Sequence, residues 1–178
     1  YVRASDGFQN AFTDAYAATS DHHQQTIIQT NLGMALVSTT IEHLTEGRRI
    51  CESVIATDDG RDWLPAYSCV LGSYAADLRD GIPMDYTCQD ADAPEIQMAL
   101  NGLKEQIDTL GSDQPYALAD AYYWLATYYQ ARLECNPLPT NVQRDFEVAR
   151  EAACRARDEA LSRQTALFWE DRLVCPGD

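Results

Sequence analysis

Apolar positions recur at three- and four-residue spacings along almost the whole chain, the period of amphipathic helices rather than strands. Over residues 4–20 the positions Phe8, Phe12, Ala15 and Tyr16 form one such face. Residues 24–56 continue it with Ile27, Ile28, Leu32, Ala35 and Leu36, then with Ile41, Leu44, Arg48, Cys51 and Ile55. Gly33 and the run Ser38-Thr39-Thr40 mark a break into two helices near residue 39. The stretch TDDGRDWLP at 57–65 is a turn, because Asp58, Asp59 and Gly60 supply turn chemistry. Asp62 is placed to cap the helix that follows, and Pro65 suits its first turn. That helix runs to Arg79 and stops at DGIP. MDYTCQDADAP reads as a loop, and Pro94 opens a helix over 95–110 that Gly111 closes. Ser112 or Asp113 caps a helix over 116–135, which ends at CNPLPTN because proline cannot continue it. A last helical region spans 142–173, with a break near Ser162. The pattern predicts an all-α single domain over 1–178, with seven or eight helices in hairpins and no linker.

Six cysteines change this picture. Cys51, Cys69, Cys88, Cys135, Cys154 and Cys175 form no C-x-x-C pair, which excludes the common zinc-ribbon, thioredoxin-like and c-type haem patterns. An even, well-spread set fits three disulfides in an oxidising compartment. Cys51 and Cys69 lie at similar distances on either side of the 58–61 turn, so an antiparallel hairpin brings them face to face. The other four cysteines allow three pairings, and the sequence leaves these open. The cysteine spacings, 18 and 19 then 19 and 21, hint at two similar halves.

The net charge is −15, with one lysine, Lys104, among 13 basic residues. That excess of acid argues against nucleic acid as a partner, since phosphate contacts need clustered Lys and Arg. It argues equally against anionic membrane surfaces; the acidity reads first as solubility or a saline habitat and, more sharply, as a match to a basic protein or peptide. No apolar run approaches the ~20 residues of a spanning helix, so no membrane insertion is expected. A start at Tyr1 with no basic, apolar leader fits a mature secreted or periplasmic chain.

The segment YALADAYYWLATYYQARLEC at 116–135 concentrates five tyrosines and a tryptophan. Within it AYYWLATYY, with Tyr122, Leu125, Ala126 and Tyr129, resembles the first helix of a tetratricopeptide repeat. FEVAREAACRA, with Phe146, Ala149, Ala153 and Ala156, resembles the second, where small residues let paired helices approach closely. The Leu-Gly pairs of NLGMAL and VLGSYA are of the same type, although they do not keep the regular repeat spacing and CNPLPTN is longer than the usual turn. The architecture is therefore either an irregular tetratricopeptide-like array or a disulfide-linked bundle. The resemblance implies a peptide-binding groove lined by first helices. It places Asp120, Tyr123, Thr127 and Gln130 on the groove side and turns Tyr122, Leu125 and Tyr129 toward the partner helix. The same register puts Cys69 in the groove, which conflicts with a Cys51–Cys69 bridge.

Catalytic and metal signatures are thin. His22 and His23 are adjacent, point about 100° apart on a helix and do not converge on one ion, so the segment reads as a helix start capped by Ser20 or Asp21. Glu42, His43 and Glu46 form only a fragment of a dimetal carboxylate motif. The acidic turns lack calcium-loop spacing, and no phosphate loop or nucleophile elbow occurs. No cofactor, metal or catalytic residue is expected. The leading expectation is a non-enzymatic binding protein, such as an inhibitor or immunity protein, presenting an acidic, tyrosine-bearing helical surface. The alternatives are a small-molecule carrier with a pocket lined by Tyr122, Trp124 and Tyr128, and an enzyme whose site assembles from distant residues. The closing segment TALFWEDRLVC reads as a docking helix that seals the core.

Overall fold

The computed structural model describes residues 2–39, 41–80, 88–90, 92–110, 114–135, 141–162 and 175. Among them lie seven α-helices: α1 (Val2–Ala18), α2 (His22–Thr39), α3 (Ile41–Ile55), α4 (Leu64–Asp80), α5 (Pro94–Thr109), α6 (Pro115–Leu133) and α7 (Val142–Ser162). A short 3-10 helix covers Cys88–Asp90, and the described residues contain no strand. The all-α reading holds, and the predicted break near residue 39 falls between α2 and α3. The cap of α6 expected at Ser112 or Asp113 falls instead at Gln114, whose side chain makes no capping hydrogen bond; the stop at Gly111 and the docking helix over 165–174 lie outside the described residues. The chain divides into two compact units, Tyr1–Ser73 and Tyr74–Asp178. The division falls within α4, an unbroken helix, and not in a linker.

In the first unit α2 packs along α3, and α1 packs on α2. The face read from the sequence of α3 is buried at Leu44, Arg48, Cys51 and Ile55. Gly33 does not break α2; it is the point of closest approach to α3. A Cβ there would strike Cys51 Sγ and stand 2.9 Å from the carbonyl oxygen of Gly47. Gly47 is equally constrained, since its Cβ would lie 2.6 Å from the carbonyl oxygen of Gly33. Asp21 starts α2 as expected, its Oδ1 accepting the amide N–H groups of His23 at 2.9 Å and Gln24 at 3.3 Å. In the turn before α4, the Thr57 hydroxyl donates to the Val54 carbonyl at 2.7 Å and accepts the Gly60 amide at 3.0 Å. Gly60 is obligatory there, because a Cβ would run into the Val54 carbonyl. The sequence face of α1 is less covered than its periodicity implies, with Ala15 and Tyr16 exposed.

In the second unit α6 packs against both α5 and α7, most extensively against α7. Pro94 and Pro115 open α5 and α6, where a missing N–H costs nothing. Asn141 precedes α7 with φ 74°, a left-handed conformation that asparagine tolerates better than most residues. Along the α6–α7 seam Ala119, Ala126, Ala149, Ala153 and Ala160 are buried, and their small side chains permit a close approach.

Three disulfides fasten the units internally. Cys51–Cys69 links α3 to α4 across the 56–63 turn, as the hairpin geometry anticipates. Cys88–Cys135 ties the 3-10 helix to the end of α6, and Cys154–Cys175 ties α7 to Cys175. The connectivity does not follow the two similar cysteine triplets, because Cys88–Cys135 joins one triplet to the other. Closing loops of 18 to 47 residues stabilises each unit by roughly 3–4 kcal/mol per bridge in the chain-entropy account. Cys69 is therefore bridged and buried, so α4 does not offer it to a groove.

The α2–α3 contact makes a direct prediction. Gly33→Ala should lower the urea midpoint, with a loss of roughly 1–3 kcal/mol typical of overpacking. Gly7→Ala, in α1 with open space at its Cβ, should stabilise by up to about 1 kcal/mol through helix propensity. Equal midpoints for the two variants would contradict the close approach.

Candidate functional site

α6 is buried on nearly every side. Ala119, Asp120, Ala121, Tyr123, Leu125, Ala126, Tyr128, Tyr129, Ala131 and Arg132 are all inside. A helix of this kind is central in its unit and is not an amphipathic face layer. The predicted contact stripe shares one face of α6, as helical spacing requires, but the surface it offers is small. Asp120 and Tyr123 are buried, Thr127 is half-buried with its hydroxyl donating to the Tyr123 carbonyl at 2.9 Å, and Gln130 is exposed. Tyr123 belongs to a packed cluster with Ala119, Ala153, Cys154, Ala160 and Cys175, against which Tyr122, Trp124 and Ala156 also pack. Tyr123 and Trp124 meet edge to face at 5.1 Å.

A different face of α6 is half-exposed at Leu118 and Tyr122, with the buried Pro115 at its start. Pro115, Leu118 and Tyr122 recur at i, i+3 and i+7, and they face Ala152, Arg155, Ala156 and Glu159 of α7 across a groove of about 290 Å³. The groove exists because alanines occupy 152 and 156, where larger side chains would close the seam. Its volume falls just under the roughly 300–1,000 Å³ of pockets that enclose a drug-sized ligand. It suits one or two side chains of a larger partner. Of the aromatic trio expected to line a carrier pocket, Tyr122 borders this groove, whereas Trp124 packs on the cluster and Tyr128 is fully buried.

The charges around the groove are ordered. Arg155 Nη1 lies 3.7 Å from Glu151 Oε1, one turn toward the start of α7 and away from Glu159. Three other cations of this unit lie over its own aromatic rings. Arg132 Nη2 contacts Asp92 Oδ1 at 3.3 Å and its guanidinium lies 5.9 Å from the Tyr128 ring centre. Lys104 lies over Tyr129 at 5.6 Å, and Arg150 over Phe146 at 5.6 Å. Residues 74–178 hold 19 Asp and Glu against 9 Lys and Arg, so this unit carries most of the net charge.

Burial pushes the Tyr128 phenol up from its ordinary 10.0 to about 12, against the opposing charge and hydrogen bond of Arg132. His23 meets Trp63 edge-on at 5.6 Å, and His43 Nδ1 lies 3.7 Å from Glu46 Oε2. Among the described residues no three His, Cys, Asp or Glu side chains come together as a metal site would require. Among them, too, no helix is long and apolar enough to cross a membrane. No protein-family model, curated protein or solved structure matches the chain.

Sequence reasoning missed the groove because it is a relation between two helices separated by a loop. The available signal was the pair of same-face triplets, Pro115, Leu118, Tyr122 and Ala152, Ala156, Glu159. The buried phenol predicts a pH dependence. A phenol whose folded value lies above its unfolded value contributes stability that is complete below pH about 10 and is lost as pH rises toward about 12. Urea midpoints measured across that range should fall for the parent chain and fall less for Tyr128→Phe. Identical slopes would contradict the burial of a neutral phenol.

Proposed function

We propose that this chain is a non-enzymatic binding protein of an oxidising compartment, secreted or periplasmic, that engages a basic protein or peptide through its second unit. The observation that carries the reading is one coincidence. The unit holding 19 acidic against 9 basic residues also holds a solvent-open apolar groove. An acidic field steers a cationic partner, and an apolar groove gives it a place to dock. The three disulfides support the compartment, because such bridges persist where thiols are not kept reduced. The α6–α7 hairpin is also the part of the chain that resembles a tetratricopeptide pair. Under this reading the contact face of α6 is Leu118 and Tyr122, which are half-buried, because Asp120, Tyr123 and Pro115 are buried. An inhibitor or immunity protein is one form this function takes.

Affinity capture from the native extracellular or periplasmic fluid tests the proposal. The chain should retain a stoichiometric basic protein that elutes as salt screens the attraction, and Leu118→Asp should lose it. Failure to retain any basic polypeptide, or retention that Leu118→Asp leaves intact, would count against it.

A further inference from the structure

We propose that Cys88–Cys135 is a thiol-exchange site: a small thiol or dithiol attacks Cys88 Sγ and opens this bridge in the folded chain, while Cys51–Cys69 and Cys154–Cys175 stay closed. The proposal is independent of the binding reading above.

Exchange requires a thiolate to reach one sulfur of a bridge from the side opposite the other, so access decides which bridge reacts. Cys51, Cys69, Cys135, Cys154 and Cys175 are all buried, each 6% exposed or less. Of the six cysteines only Cys88 is half-buried. It stands in the 3-10 helix, none of whose three residues is buried. The surroundings of the other two bridges agree. Cys51 Sγ fills the space that a Cβ on Gly33 would need and lies 4.0 Å from the Thr30 carbonyl oxygen, between α2 and α3. Cys154 and Cys175 belong to the packed cluster around Tyr123. A thiol reaches those sulfurs only when the surrounding packing opens, whereas it meets Cys88 at the surface.

The exchange is complete with the thiol as reductant. The attacking sulfur bonds to Cys88 Sγ, the bond to Cys135 breaks, and Cys135 leaves as a thiolate that takes a proton from water. A second thiol, or the other arm of a dithiol, then attacks the added sulfur, releases Cys88 and carries off the oxidised pair. Cys135 Sγ lies 3.9 Å from the Ala131 carbonyl oxygen, so the buried thiol has an acceptor. Other contacts keep the junction together. The Ala93 amide donates to the Asp90 carbonyl at 2.8 Å, Arg132 Nη2 lies 3.3 Å from Asp92 Oδ1, and α5 packs on α6. The two cysteines therefore stay neighbours after opening, and oxidation restores the bridge.

The test is glutathione at neutral pH on the folded, fully oxidised chain. Samples are quenched in acid, denatured, labelled with N-ethylmaleimide and mapped by mass spectrometry. The expected early product carries glutathione on Cys88 and maleimide on Cys135, with the other four cysteines unlabelled. This bridge should open roughly tenfold or more faster than either of the others. Circular dichroism of that product should keep the helix signal of the parent. Glutathione found on Cys135, or either other bridge opening first, would overturn the assignment. So would loss of all three bridges together at the rate of global unfolding, or a collapse of helix content when Cys88–Cys135 alone is open.

Discussion

The second unit depends on burying α6 from almost every side. A helix so enclosed must accept neighbours at close range, and α7 meets this with alanines at 149, 152, 153, 156 and 160. Each large α6 side chain taken inside, such as Tyr128 or Leu125, contributes roughly 1.5–3 kcal/mol through apolar burial. The alanines that allow this contact also leave space where the seam reaches solvent. The groove is therefore a by-product of the packing; Cys88–Cys135 holds the end of α6, and Cys154–Cys175 anchors the middle of α7. The first unit solves the same problem with glycine, since Gly33 and Gly47 bring α2 and α3 together beside the Cys51–Cys69 bridge.

Much of the fold was legible because local chemistry announces it. Pro94 marks a helix start, Asp21 caps α2, and the TDDGRDWLP turn both separates α3 from α4 and sets Cys51 opposite Cys69. The other two bridges were not legible, because they depend on how α6 and α7 dock and not on any one turn. Gly33 read as a helix break, since a helical glycine signals either a weak point or a close contact and the sequence does not say which. The stripes of α6 misled for a related reason. Periodicity assumes a wet face and a dry face, whereas both stripes of this helix contribute to the interior, with Asp120 and Tyr123 on one and Leu125 and Tyr129 on the other.

The charge around the groove comes from the composition of its unit. Three cations of the second unit lie over aromatic rings: the buried Arg132 over Tyr128, with Asp92 beside it, the exposed Lys104 over Tyr129 and the half-buried Arg150 over Phe146. The acidic groups lie largely outward, as Glu147, Glu151, Asp158 and Glu159 do on α7. Burial takes in Asp77, Asp120 and Arg132 alike, so the acidity around the groove follows from the unit's 19 acidic against 9 basic residues.

The central claim is that this seam, and not the acidity of the chain in general, contacts a cationic partner. Site-specific photo-cross-linking addresses it most directly. A photoreactive phenylalanine analogue replaces Tyr122 in the groove or, separately, Met98, which is exposed on α5 outside the groove lining. The account predicts that an arginine-bearing peptide cross-links from position 122 and not from position 98. Equal yields at both positions would contradict it.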